Sequence, residues 1–289
     1  MAAELERAVG TACGGPAWLA PIGRAHGVAR WQGEAGGRAL FVKSGPAALA
    51  ARFAQEAAGL AALGAVAGWR VPRPLAHGEA EGLAFLVLER LALVPRSVAS
   101  DARLGAALAA AHAVGAPRFG MDGDAALGAT PQPNGWCDSW LEFLATRRLG
   151  HQLALARADD APAALIDGVA RVIEALPDYY AGYAPRPSLL HGDLWSGNAA
   201  ALADGTPAVF DPAAHFGDRE ADLAMVELFG GFAPELLARY AADWPFDPGY
   251  AVRRDLHQLY HLLNHHHLFG GGYAADALRA VARLRAARR

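Results

Sequence analysis

Asp193 and Asn198 stand five residues apart in the run His191-Gly-Asp-Leu-Trp-Ser-Gly-Asn198, and Asp211 follows after a short interval. A carboxylate can orient an alcohol and take its proton. A neutral amide oxygen and a second carboxylate are hard ligands of the kind Mg²⁺ prefers. Together they supply what transfer of a phosphoryl group from ATP to a hydroxyl requires. Asp and Asn are also ordinary turn residues, so the spacing has to be weighed with what else the chain carries.

The chain carries one lysine among its 26 Lys and Arg residues, Lys43. Arginine serves everywhere else, so the lone lysine is either an accident of composition or the mark of a position that needs a compact charge on a flexible stem rather than a planar fork. The spacing H-x-D-x-x-x-x-N is that of a kinase catalytic loop, whose partners are a strand lysine at the phosphates and a helix glutamate that holds it. Lys43 ends a predicted strand, and Glu56 lies on the helix predicted next. Either residue alone could be a solvated surface charge; with the downstream loop they form a set.

The elements that must position these groups can be read from pattern. Ala2–Val9 reads as a short helix, and 17–22, 28–32 and 38–43 as strands, with Gly23-Arg-Ala-His-Gly27 and Gly36-Gly37 between them. In the third strand Leu40 and Val42 face one way and Phe41 and Lys43 the other. Pro46 opens a helix whose apolar stripe is Leu49, Phe53, Leu60 and Leu63, with Glu56 at its border. Strands follow at 75–77 and 83–88. From Glu89 on, helices dominate, at 101–116, 137–149, 165–176, 223–229, 234–241, 252–268 and 274–288. They are interrupted by a loop over 189–198 and short strands at 199–203 and 208–211 around Asp204-Gly205, a hairpin signal that folds Asp211 back toward Asp193.

Composition narrows the function classes. The chain has 289 residues, 53% of them hydrophobic and 19% charged, with a net charge of −3. That is a folded chain without the basic excess of a nucleic-acid binder. Two cysteines, Cys13 and Cys137, make no disulfide framework and suit a reducing compartment. No targeting segment and no membrane span are legible. The expected location is the cytoplasm. No coiled-coil heptads are present; the sequence does not fix the oligomeric state, and a monomer is favoured.

The segments Ser188–Asn198, Phe210-Asp-Pro-Ala213, Gly217–Met225 and Thr130-Pro-Gln-Pro-Asn134 together resemble the fructosamine kinase (ketosamine-3-kinase) family. Phe41-Val-Lys43, Leu259–Asn264 and Leu268-Phe-Gly270 extend the resemblance from about residue 16 to about 272. It implies an α+β fold, bilobal and protein-kinase-like. Residues 1–88 would form a small lobe of sheet and helix, 89–92 a hinge, and 93–289 a helical lobe with the catalytic loop. It implies ATP-dependent phosphorylation of the 3-hydroxyl of ketosamines, as small molecules or on glycated protein lysines. The product would fall apart and free the amine. By position Asp193 would be the base, Asn198 and Asp211 would hold Mg²⁺, and Lys43 with Glu56 would hold the phosphates of ATP. Glu89, Arg90 and Leu91 would offer backbone groups to adenine, and Gly23 and Gly27 would bound the loop covering the nucleotide. Trp195 would stack on the sugar, unless it is a core tryptophan.

The covering loop has fewer glycines than is usual in that family. Asp218 and Asp222 flank the start of a helix, where capping is the expected role; the alternative is that one braces the catalytic loop. His257, His261 and His265 recur at helical spacing, but no carboxylate or thiol nearby in sequence completes a zinc set. Arg147 and Arg148 are expected on a solvated helix face. The loop spacing alone would also suit a kinase acting on an aminoglycoside, choline or a free sugar, or a non-catalytic nucleotide-binding relative. The intact Lys43, Asp193, Asn198 and Asp211 set argues for turnover. No DFG and APE segment follows Asp211, which argues against a protein kinase.

Overall fold

The fold was taken from a computed structural model, which describes residues 2–288. Helix α1 (Ala2–Cys13) precedes strands β1 (Ala17–Ala25), β2 (Val28–Ala35) and β3 (Arg38–Pro46). A single 3₁₀ turn leads into α2 (Ala50–Gly64), and β4 (Pro74–Ala80) and β5 (Leu83–Glu89) complete an antiparallel sheet in the order β1-β2-β3-β5-β4. Alternation along the strands sorts the two faces. Leu40, Val42, Ala29 and Trp31 pack under α1 with Leu5 and Val9. Val28, Leu86 and Leu88 face α2 with Phe53, Leu60 and Leu63. Lys43 therefore shares the face of α2, as the period predicts. The strands run longer than expected, so the segment 23–27 shrinks to a two-residue turn. His26 (φ +50°) and Gly27 (φ +78°) both lie in the left-handed region, as a tight hairpin turn requires.

The rest is mainly helical: α3 (Val98–Ala113), α4 (Trp140–Phe143), α5 (Gly150–Ala158), α6 (Ala163–Glu174), α7 (Leu176–Tyr179), α8 (Glu220–Leu228), α9 (Glu235–Asp243), α10 (Tyr250–Phe269) and α11 (Tyr273–Ala286). Three small hairpins or strand pairs are set among them. These are β6 (Ala125–Leu127) with β7 (Thr130–Gln132), β8 (Ser188–Leu190) with β11 (His215–Gly217), and β9 (Ala199–Ala201) with β10 (Pro207–Val209). A core of Phe143, Leu149, Leu165, Val169, Leu259 and Val281 holds the far helices together. Among the described residues no helix is long and apolar enough to cross a membrane.

Two features depart from the expected pattern. Between α4 and α5 the helix continues as a π-helical stretch, Leu144–Leu149. The wider turn rotates Arg148 inward, so it is buried rather than solvated, with 3% of its surface exposed. There it donates to Pro133 O (2.6 Å) and Asn134 Oδ1 (2.7 Å) and lies 4.5 Å from the Phe143 ring centre. Burial pushes its guanidinium down to about 10. The β6–β7 hairpin and the β8–β11 pair fell in stretches with no alternation to mark them.

The lobes are tied where the site lies. Arg70 N–H donates to Pro207 O (2.7 Å) and Val209 N–H to Arg70 O (3.0 Å). Val94 and Ala201 exchange bonds of 2.8 and 3.0 Å. The chain on either side of residues 89–92 is thereby pinned to the β9–β10 hairpin.

Candidate active site

The loop from His191 to Asn198 leaves β8 through Gly192 at φ +80°. A Cβ there would strike the Ala213 carbonyl, so only glycine fits. His191 fixes the loop from within. Its Nδ1 accepts from Asp193 N–H (3.3 Å), which leaves Nε2 to donate to Phe210 O (3.1 Å). Arg96 donates from Nη1 to Ser196 O (2.8 Å) and Ala199 O (2.9 Å), while its Nε is anchored on Asp101 (2.8 Å). The 3₁₀ turn Ser196–Asn198 then turns Asn198 back onto Asp193. The Asn198 amide nitrogen donates to Asp193 O (2.9 Å) and Oδ2 (3.1 Å). Its carbonyl oxygen is therefore free of that contact.

Asp211 returns beside this loop because the β9–β10 hairpin is tight, and it sits at φ +54°. Lys43 Nζ lies 2.7 Å from Asp211 Oδ1 and 2.6 Å from Glu56 Oε1. Glu56 reaches that point because α2 packs closely on the segment after Asp211; a Cβ on Gly59 would lie 2.9 Å from the Ala214 Cβ. The predicted residues Lys43, Glu56, Asp193, Asn198, Asp211 and Trp195 all line one cleft between the sheet and the catalytic loop.

Electrostatics separates the carboxylates. Burial, helped by the negative Asp211, pushes Asp193 up to about 7. Burial also works against ionisation of Asp211, but the Lys43 ammonium outweighs it and holds Asp211 below the usual carboxylate range. Burial raises Glu56, and the neighbouring Lys43 only partly offsets that. Burial disfavours the Lys43 charge as well, yet Glu56 and Asp211 together raise its pKa. Asp193 has no cationic side-chain partner among the described residues. An oxygen-only donor set of Asn198 and Asp211, beside a second carboxylate that lacks a counter-charge, fits a hard divalent cation.

Trp195 is 40% exposed and lines the cleft, so it is no core residue. Its ring lies on the backbone of Gly197, where a Cβ would overlap it. Of the hinge residues, Glu89 N–H is engaged by Arg73 O (2.9 Å) and Arg90 N–H by Ala39 O (3.1 Å), and the Glu89 carboxylate pairs with Arg70. Of the three residues expected in a hinge, Leu91 is the one whose N–H is not committed to those bonds. Gly27 belongs to the two-residue turn, and Gly23 (φ +152°) to the irregularity in β1 just before it.

For Asp222 the alternative to capping holds, and the cleft is lined by residues that the sequence pattern does not mark. Asp222 does not cap α8. Its Oδ2 accepts from His191 N–H (2.7 Å) and its Oδ1 from Gly192 N–H (2.8 Å), so it braces the catalytic loop. Asp218 accepts from Glu220 N–H (3.1 Å) and from the Tyr183 and Tyr180 hydroxyls (3.0 and 3.2 Å). Asp218 and Glu220 also approach His257, bringing from elsewhere in the chain the carboxylates that the histidine helix lacks nearby in sequence. Glu220 is there ion-paired to Arg253 (2.7 Å). His257 and His261 are buried in α10. Arg30, Arg52, Gln55 and His26 line the cleft as well.

Comparison with known proteins places the family and the fold. A model of the fructosamine kinase family matches residues 21–287. The "Probable ketoamine kinase slr1563" of Synechocystis sp. is 46% identical over 243 residues, covering 84% of this chain and 81% of that protein. The chloroplastic protein-ribulosamine 3-kinase of Arabidopsis thaliana is 37% identical over 254 residues, 87% of this chain and 77% of that protein. The crystal structure of aminoglycoside phosphotransferase APH(4)-Ia superposes with a TM-score of 0.70 at 18% identity, over 100% of this chain and 99% of that one. At that identity the likeness concerns the fold, which is kinase-like and mixed α+β.

Proposed function

This chain belongs to the fructosamine kinase family, and from that premise we propose that it transfers the γ-phosphoryl group of ATP to the 3-hydroxyl of a ketosamine. The observation that carries the reading is the convergence of Lys43, Glu56, Asp193, Asn198 and Asp211 in one cleft. Residues 1–88 cover the nucleotide, 89–92 connect, and 93–289 present the acceptor to the catalytic loop. Lys43, oriented by Glu56, holds the phosphates as a point charge, and Leu91 offers its backbone to adenine. Asn198 through its carbonyl oxygen and Asp211 through its carboxylate would hold Mg²⁺. When bound, the ion neutralises charge on the phosphates.

Asp193 receives the proton of the acceptor hydroxyl. Its raised pKa suits that work, because a base near neutrality is both available and strong enough. Asn198 keeps the carboxylate pointed by donating to its Oδ2. Trp195 presents a ring face on which the C–H face of a sugar can rest. The rest of the catalysis is positioning and charge stabilisation. A 3-phosphorylated ketosamine is prone to eliminate phosphate and release its amine, so the proposed role is deglycation, on free ketosamines or glycated lysines. The free thiols Cys13 and Cys137 fit a reducing compartment such as the cytoplasm.

ATP consumption with ribuloselysine and fructoselysine, beside an aminoglycoside and choline, with and without Mg²⁺, tests the reading. Mg²⁺-dependent turnover on a ketosamine alone is expected. Turnover only on another acceptor would keep the kinase chemistry and discard the deglycation role.

A further inference from the structure

Kinases often cradle phosphates with backbone N–H groups of a flexible glycine-rich loop. This chain has little to offer in that place. The β1–β2 ladder continues to the pair Ala25↔Val28, and only His26 and Gly27 remain in the turn. β1 is the edge strand of the sheet, but the turn that joins it to β2 is only two residues long and offers no glycine-rich run of N–H donors.

A side chain stands where that deficit would be felt. Arg30 on β2 is directly opposite Lys43 on β3. The neighbours of Arg30, Ala29 and Trp31, pack under α1 on the opposite face, so Arg30 and Lys43 point into the same cleft. Lys43 is held at both carboxylates by bonds of 2.6 and 2.7 Å. Arg30 is not. Its Nη2 is 3.8 Å from Asp211 Oδ2, beyond hydrogen-bond reach, and its Nε is buried without a hydrogen-bond partner. A guanidinium fork whose one ion pair, to Asp211, is long at 3.8 Å and whose Nε has no partner has donors to spare for an acceptor. The oxygens of a phosphate match its geometry and charge, and such bonds are among the stronger ones proteins make.

We propose that Arg30 is a second phosphate-binding cation of this site, a side-chain substitute for the backbone cradle that the shortened β1–β2 turn lacks. Lys43 marks one end of the polyphosphate as a compact charge held on Glu56 and Asp211, and Arg30 grips the adjoining oxygens as a fork. This rests on the reading of the cleft as an ATP site and adds to it which residue supplies the missing contacts.

Nucleotide affinity tests it without turnover. Dissociation constants of ATP, ADP and adenosine would be measured by calorimetry, with Mg²⁺, for the wild-type protein, Arg30→Ala and Arg30→Lys. Arg30→Ala is expected to weaken ATP about tenfold or more, ADP by less, and adenosine not at all. Arg30→Lys, which keeps the charge and loses the fork, is expected to fall between. Unchanged ATP affinity in Arg30→Ala, or an equal loss for adenosine and ATP, would overturn the proposal and leave the kinase reading standing. A wild-type protein that binds none of the three would overturn both. Arg30 is two-fifths exposed at the cleft, so its replacement leaves the sheet core intact, and an unshifted melting temperature checks this.

Discussion

The Oδ1 of Asp222 lies 2.8 Å from the backbone nitrogen of Gly192, one residue before Asp193. The other oxygen of the same carboxylate takes the N–H of His191 at 2.7 Å. One buried side chain on α8 thus closes two donors at the left-handed bend that aims the catalytic loop. Asp222 is held below the usual carboxylate range: burial opposes the charge, but His112, His191 and these backbone donors outweigh it.

Asn in place of Asp222 would turn an NH₂ group toward one of those N–H donors. Asp222→Asn is therefore expected to lower stability by roughly 2–4 kcal/mol, as for a buried donor left without its acceptor. Urea unfolding measures that. Turnover should fall on the order of 10²-fold through displacement of Asp193, with ATP affinity nearly kept. A variant as stable and active as wild type would show that the brace is idle.

Asp193 titrates near 7 in the folded chain against 3.8 for an ordinary aspartate. Its folded pKa is raised, so the folded state holds a proton that the unfolded chain has already lost between those values. Stability referred to this group falls as pH rises from about 3.8 to about 7, and stays at the lower level above. Asp193→Asn, nearly isosteric with the protonated acid, removes that dependence. Its melting temperature should exceed that of wild type most at pH 8, and the gap should close toward pH 5. Turnover should drop by a factor on the order of 10²–10⁴, with ATP still bound. In the wild-type protein kcat/KM should climb through an inflection near neutrality. A flat gap, or turnover of the variant at the wild-type rate, would remove Asp193 from the role of base.

Lys43 has no room for a larger cation. Its Nζ is fixed between Glu56 and Asp211, with 7% of the side chain exposed. Lys43→Arg keeps the charge but replaces a point contact by a longer planar group. We expect kcat/KM for ATP to fall on the order of 10²-fold, as it does for loss of a positioned contact. Near-normal kinetics would mean that charge alone suffices there.

Gly197 lets the Trp195 ring lie against the chain. Gly197→Ala must push the ring toward the cleft. The expected result is a KM for the ketosamine raised on the order of tenfold, the worth of an aromatic contact, with the dissociation constant of ATP unchanged. Equal changes for both substrates would point instead to a general loss of loop order.

Much of this was legible in the chain because it rests on local rules. The Gly36-Gly37 turn fixes the register of β2 on β3, and the strand period then puts Lys43 opposite α2. The same register places Arg30 across from Lys43, but strand period alone does not tell a cleft arginine from a solvated one. Asp222 and Arg96 are of another kind. Each acts on backbone groups far along the chain, and no periodicity reports which loop a buried carboxylate or guanidinium will meet. The inward turn of Arg148 arises from a π-helical step, which leaves the hydrophobic pattern almost unchanged while rotating everything after it.

The burial of Lys43 has a consequence outside catalysis. Sugars attack proteins at unprotonated, accessible amines, and Lys43 is the chain's only lysine. Its amine is enclosed and its proton is held by two carboxylates, since Glu56 and Asp211 outweigh the effect of burial. On the proposed reading, a protein that removes sugar adducts from lysines has no side-chain amine left on which the same adduct could form. Its one side-chain amine is shielded from the adduct that the protein would remove.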